Sequence, residues 1–249
     1  MFKAVHLNVV RSEENQKNKI LNDINFTFTK GKTYTILGKN GSGKTTLIKS
    51  LTKLLNKNTF HISGSVLWKN KNLLNLDILE LQQVRRYEIR YVLQDLTANF
   101  DPLKKLKYYF DNSALTEQQI TEQLKNFLLP KYDIISNLHS YEISGGMAQR
   151  FSLMLALSAN PKLLILDEPT SAIDYTNINL VNLKLNEFRD LKGITLAVTQ
   201  DINFARKISD EIAFLYEGEL SNFKPTEEFF NNSSDTIQSS FINSYREMK

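Results

Sequence analysis

The sequence contains no cysteine. That excludes disulfides, a zinc ribbon and any thiolate-held iron–sulfur cluster, and it leaves a chain indifferent to redox state, which suits the cytoplasm. No run approaches the roughly 18 uncharged apolar residues that a bilayer span needs. The start, Met1 to Asn8, lacks the apolar stretch of a secretory signal. Any link to a membrane is therefore expected to run through partners. No single sign of charge dominates either: 31 Lys and Arg face 27 Asp and Glu along the whole chain, a net charge of +4. Such a balance describes a mixed, solvated surface, and nucleic acid is not expected as a partner. What remains is 249 residues with 41% hydrophobic content, enough for one substantial core in a single α/β domain with a helical annex.

The first thirty residues hold a short alternating stretch, a polar break at Arg11 to Lys19, and then Ile20, Leu21, Ile24, Phe26 and Phe28. Alternation over the last three predicts an antiparallel edge of strands. A strand at Thr33 to Leu37 runs into a glycine-rich turn, and Thr45 to Leu55 carries Leu47, Ile48, Leu51, Leu54 and Leu55 at helical spacing. The middle, about residues 96–143, is expected to form a helical subdomain extending into the helix that follows it. There Thr116 and Gln119 predict a capping box for a helix with Ile120, Leu124, Phe127 and Leu128 on one face. Beyond Ser144, a helix through Met147, Phe151, Met154 and Leu155, a strand Leu163 to Leu166, a helix near Leu180 to Leu191 and a strand Ile194 to Thr199 imply a parallel sheet. Residues from about 219 to 249 are polar, with a short helical piece at Thr226 to Phe230, and read as a small appendage.

Chemistry concentrates in three places. Gly38-Lys39-Asn40-Gly41-Ser42-Gly43-Lys44-Thr45-Thr46 is a P-loop. Its glycines let backbone N–H groups curl around the β- and γ-phosphates, Lys44 adds a point charge, and Thr45 supplies a hydroxyl to Mg²⁺. This motif alone says nucleoside triphosphatase and no more. Lys162 to Glu168 is an apolar run ending in two acids, which a buried strand would deliver at its carboxyl end. Asp167 would hold Mg²⁺ through a water, and Glu168 would polarise the water that attacks the γ-phosphate. Ser144-Gly145-Gly146-Met147 opens a helix, and free amides at a helix start suit an anion.

Together these motifs resemble the ABC ATPase family over nearly the whole chain, from about Phe2 to Phe230. The resemblance implies the P-loop ATPase fold with an antiparallel β edge and a helical subdomain carrying the signature loop Ser144 to Met147. In that family the signature loop of one subunit closes over the nucleotide held by another. It also implies ATP and Mg²⁺ as cofactors. By the same resemblance Gln94 is similar to the glutamine that ligates Mg²⁺ and reports occupancy to the permease. Ser171-Ala172-Ile173-Asp174 resembles the D-loop that crosses the dimer, with Ile173 in place of the more usual Leu.

Two positions depart from the family pattern. Gln200 stands where a histidine contacting the γ-phosphate is expected, and glutamine donates a hydrogen bond without becoming cationic. His6, His61 and His139 lie in other regions of the sequence and are not expected to replace it. The adenine-stacking aromatic is also absent, since none occurs between His6 and Phe26; Arg11 falls nearest that position, and a guanidinium can stack on a purine. A finer resemblance, to the peptide and nickel importer branch, rests on Arg90 with Tyr91 to Asp95, on Asn99 to Leu103, and on Met147 in the signature. In that branch two different ATPase subunits pair. The implied function is an ATP-hydrolysing motor subunit for import of a peptide, metal complex or related small solute. Its own site would be weakened at Gln200 while its signature loop completes a partner's site. Implied partners are transmembrane permease subunits, a second ATPase subunit and an extracytoplasmic solute-binding protein, with the chain at the cytoplasmic face of the cell membrane. A non-transport ABC ATPase and a regulatory subunit that binds ATP without hydrolysing it are the alternatives.

Overall fold

The computed structural model describes residues 1–13, 16–93, 100–170 and 175–231. The chain opens with β1 (Phe2–Glu13), β2 (Gln16–Phe28) and β3 (Lys32–Leu37), then α1 (Lys44–Ser50), β4 (Phe60–Trp68), β5 (Lys71–Asn72), α2 (Ile78–Tyr87) and β6 (Ile89–Val92). Three short helices follow, α3 (Lys107–Asp111), α4 (Glu117–Asn126) and α5 (Tyr132–Ile135), before the longer α6 (Gly145–Ser158). The last part alternates: β7 (Leu163–Asp167), α7 (Tyr175–Asp190), β8 (Ile194–Thr199), α8 (Ile202–Ile208) and β9 (Glu211–Tyr216), then β10 (Glu219–Leu220), β11 (Lys224–Pro225) and α9 (Thr226–Asn231).

Two sheets result. The antiparallel one has the order β2-β1-β4-β5, and the other runs β10-β9-β3-β8-β7-β6 with β11 also on β9. Within the second sheet β9, β3, β8, β7 and β6 are parallel neighbours. Strands of this kind are covered on both faces, which is why β7 and β8 are apolar throughout rather than alternating. On β7, Leu163 and Ile165 enter a core shared with β1, β2, β4 and α1, whereas Leu164 and Leu166 enter a second core built mainly from α3 to α8.

The expected α/β architecture with its antiparallel edge is what the chain adopts, with local differences. The polar stretch 11–19 is not a break in the strands: Arg11 pairs with Asn18 and Ser12 with Lys17 across the β1–β2 hairpin. Ladder hydrogen bonds satisfy the backbone there, and an exposed sheet end accepts polar side chains. The helix after the P-loop stops at Ser50 rather than Leu55, because Lys53 turns left-handed at φ 55°. Thr116 and Gln119 do form their reciprocal capping box, and Ile120, Leu124 and Phe127 are buried. Leu128 is not: at φ 53° it ends the turn facing solvent, 62% exposed. At the other end of the chain Phe229 and Phe230 are buried against Ile202 and Phe214, so the chain as far as α9 is packed onto the sheet.

Glycine is required at one crossing of the antiparallel sheet. The β1–β4 register slips between Val5 and Asn8, and Gly64 sits opposite the slip at φ 97°. A Cβ there would lie 2.2 Å from the His6 carbonyl oxygen, so only glycine lets the two backbones meet.

Candidate functional site

The carboxyl ends of β3, β7 and β8 lie side by side, with Leu37 opposite Thr199 and Asp167 opposite Val198. Open α/β sheets bind ligands at this edge. The loop leaving β3 begins at Gly38, where a Cβ would meet the Leu215 carbonyl oxygen and Ser42 Oγ, each at 2.6 Å. It ends at Gly43, φ 101°, which precedes α1 without a side-chain cap. The first amides of α1 are therefore left for a ligand, while Lys39, Asn40 and Gly41 form an exposed rim.

Lys44 is buried and turned back into the loop. Its Nζ donates to the carbonyls of Gly38 (2.9 Å) and Lys39 (3.1 Å) and lies 3.1 Å from Glu168 Oε1, an ion pair without hydrogen-bond alignment. Thr45 Oγ1 donates to Asp167 Oδ1 at 3.2 Å, and Thr46 follows half-buried. Asp167 and Glu168 are both nearly inaccessible, at 3% and 8% exposure. Burial raises the Asp167 carboxyl above the ordinary aspartate range; the Thr45 hydroxyl works against that, the Glu168 charge adds to it, and Lys49 and Lys44 oppose it.

Glu168 is held in a left-handed conformation, φ 45°, of the kind that costs of order 1–3 kcal/mol and persists only where surroundings enforce it. Here its amide donates to the Val198 carbonyl, and its Oε2 accepts from the Gln200 amide at 3.1 Å. Gln200 thus reaches the acid through its backbone and leaves its side chain exposed. Asp201 caps α8 by accepting from the Phe204 amide, which fixes the turn that carries Gln200.

A hydroxyl beside a carboxylate oxygen is a hard-oxygen pair of the sort that binds Mg²⁺ together with nucleotide phosphates, so Thr45 and Asp167 fit that ion. Gln94, expected as a further ligand, and Ser171 and Asp174 of the expected D-loop lie outside the described residues.

The signature residues are presented separately. Ser144 is the N-cap of α6, its hydroxyl accepting from the Met147 amide at 3.2 Å, and Ser144 and Gly145 are exposed while Gly146 and Met147 are half-buried. The link to the acids is Gln149, buried on the same helix, whose amide donates to the Pro169 carbonyl one residue after Glu168. The sequence analysis did not single out Gln149, and no local pattern marks it.

Arg11 lies at the solvent end of β1, in register with Asn18 and Phe60, its guanidinium 5.9 Å from the centroid of the Phe60 ring. The sheet thus brings an aromatic beside Arg11 from β4, beyond the P-loop in sequence, where an interval counted backwards from Lys44 could not find it. The three histidines stand elsewhere: His6 bonds Asp23, His139 bonds Glu142, and His61 is exposed on β4.

Comparison with known proteins agrees with this geometry. The family model described as ABC transporter matches residues 21–171. The chain is 34% identical over 221 residues to the dipeptide transport ATP-binding protein DppD of Caldanaerobacter subterraneus subsp. tengcongensis, covering 84% of this chain and 67% of that protein. It is 29% identical over 211 residues to the metal-staphylopine import system ATP-binding protein CntD of Staphylococcus aureus, covering 81% and 78%. Among solved structures, the dimeric post-hydrolysis state of the ATP-binding cassette MJ0796 bound to ADP and Pi superposes with a TM-score of 0.76 at 27% identity, covering 91% of this chain and 99% of that one.

Proposed function

The chain belongs to the ABC transporter family as an ATP-binding, ATP-hydrolysing subunit, and on that premise we propose that it drives import of a peptide, a metal complex or a related small solute through separate permease subunits. The single observation that carries this reading is the buried cluster of Lys44, Thr45, Asp167 and Glu168 at the carboxyl edge of the parallel sheet. Import follows from the printed functions of DppD and CntD, the chain spanning about two thirds of the former's length.

In the cycle we propose, the P-loop amides and Lys44 hold the phosphates of ATP, Thr45 and Asp167 hold Mg²⁺, and Glu168 accepts a proton from the water attacking the γ-phosphate. Mg²⁺, when bound, neutralises charge on the phosphate oxygens. Gln200 offers the γ-phosphate a neutral hydrogen bond only, so hydrolysis at this chain's own site is slow. Ser144 to Met147 close the nucleotide site of a second, different ATPase subunit, and Ser171 and Asp174 run along the same interface. Two nucleotides between facing subunits favour the closed dimer by their differential affinity for it, and hydrolysis releases it. The segment at 96–143 carries this motion to the permease, Gln94 reports occupancy, and Arg11 supports the adenine. A solute-binding protein delivers cargo on the far side of the membrane, while this chain sits at the cytoplasmic face.

Steady-state ATPase activity of the native chain and of Gln200→His, alone and with the partner ATPase and permease subunits, tests the reading. The native chain alone is expected to be slow and the histidine variant several-fold faster. A native chain that is already a brisk, cooperative ATPase and unmoved by the substitution would instead favour a homodimer with a competent site.

A further inference from the structure

A groove away from the phosphate edge carries positive charge with nothing to neutralise it. Two cavities, of about 220 and 310 Å³, meet at Arg90 on β6 and Leu155 on α6. Arg86 and Tyr87 wall the first, and Leu93, Phe100 and Tyr109 wall the second. Among the described residues no carboxylate lines either one.

Three buried polar atoms in this lining lack a hydrogen-bond partner: Arg90 Nε, Ser152 Oγ and Ser158 Oγ. Arg86 lies over the Tyr87 ring, 5.5 Å from its centroid, and has no acid beside it. Burial lowers the Arg90 guanidinium from its ordinary value, and the Arg86 charge adds to that. A guanidinium stays protonated in proteins. The free chain therefore carries a half-buried cation and orphaned donors, a costly arrangement unless something completes it. Apolar rims flank the groove, with Tyr87, Leu103 and Tyr108 exposed by 60%, 86% and 46%.

We propose that this groove receives an acidic side chain set among apolar ones on a cytoplasmic segment of the permease, with Arg90 as the recognising group and Arg86 as its supporting cation. The inference rests on the transporter reading above and adds the chemistry by which the permease is recognised. A planar guanidinium takes a carboxylate bidentately; the serine hydroxyls can bind the segment's backbone, and Leu155, Phe100 and Leu93 its apolar side chains. Charge complementarity selects this occupant, since an apolar helix alone would leave all three polar atoms unpaired. A free anion would use the two arginines and leave the apolar walls bare.

The test is assembly of the full chain with the permease subunits it accompanies, reconstituted in lipid nanodiscs, with the dissociation constant read for native protein, Arg90→Ala, Arg90→Lys and Arg86→Ala. Each cytoplasmic Asp and Glu of the permease is neutralised in turn. Arg90→Ala is expected to weaken assembly roughly tenfold or more, as loss of one partner of a desolvated charge pair does, with ADP affinity unchanged and Arg90→Lys recovering part of the loss. One permease acid should weaken assembly to a similar degree and add little on top of Arg90→Ala. Native affinity for Arg90→Ala, full additivity with every permease acid, competition by inorganic phosphate alone, or a change only in self-association would each overturn the proposal. If the native chain binds no permease at all, the transporter reading falls first; if it binds and Arg90 is silent, only the present inference falls.

Discussion

In the nucleotide-free chain Lys44 and Glu168 neutralise each other, with side chains only 6% and 9% exposed. Nucleotide must take Lys44 away from the carboxylate. Replacing Glu168 with glutamine removes the charge and leaves a neutral acceptor of similar size. Breaking a buried pair outright costs about 3–5 kcal/mol, but Lys44 keeps its bonds to the Gly38 and Lys39 carbonyls, so about 1–3 kcal/mol is expected here. For a chain of this size that is a fall in Tm of roughly 3–10 °C. When ADP is bound its β-phosphate faces Lys44 in place of the carboxylate, and the variant then loses nothing at that position. The destabilisation of the free state should therefore return as affinity, with ADP bound roughly five- to hundredfold more tightly. Calorimetric titration with ADP and thermal melts with and without it measure both quantities. A variant that melts and binds like the native chain refutes the pairing, and one that melts earlier with unchanged affinity shows that the pair supports the fold without competing with nucleotide.

Asp167→Asn removes a buried charge whose carboxyl is raised by burial. Because the folded chain holds that proton more tightly than the unfolded one, the stability the group contributes is present below its unfolded value and lost as pH rises through the folded one. The asparagine variant should thus melt higher than native without nucleotide at pH 7, and its advantage should vanish in melts below the aspartate range, while Mg²⁺ no longer tightens ADP binding. An advantage independent of pH would contradict this. Gly64→Ala places a Cβ 2.2 Å from the His6 carbonyl oxygen at φ 97°, and urea unfolding should register a loss of about 3–5 kcal/mol; less than about 1 kcal/mol would mean the bulge relaxes freely. Ser144→Ala removes the cap on the Met147 amide and should lower stability by about 1 kcal/mol in the same assay, with no change in ADP affinity of the chain alone. Weaker ADP binding there would place the signature loop in its own chain's site.

What the sequence made legible and what it hid divide by distance along the chain. The P-loop is contiguous, and the conformations of Gly38 and Gly43 are local consequences of a strand turning into a helix. The caps at Thr116 and Ser144 act within three residues, and the apolar β7 announces a strand covered on both faces. By contrast β4 owes its place to a partner strand some fifty residues earlier, and its alternation is interrupted by the bulge at Gly64, so no local pattern selects it. The polar ends of β1 and β2 were hidden for a related reason: backbone pairing, not side-chain burial, holds them. Within the site, sequence could place Lys44 in the P-loop and Glu168 at a strand end, but not their contact in the free chain, because that depends on β3 and β7 being separated only by β8. The same holds at the groove. Arg90 reads as one more charge in a mixed sequence until β6 is laid beside β7 and α6 is packed over it, and only then does a guanidinium with a buried, unpaired Nε become visible. A motif search finds residues that act on their neighbours in sequence; Phe60 beside Arg11, Gln149 on the Pro169 carbonyl and Arg90 beneath α6 act on neighbours that only the fold supplies.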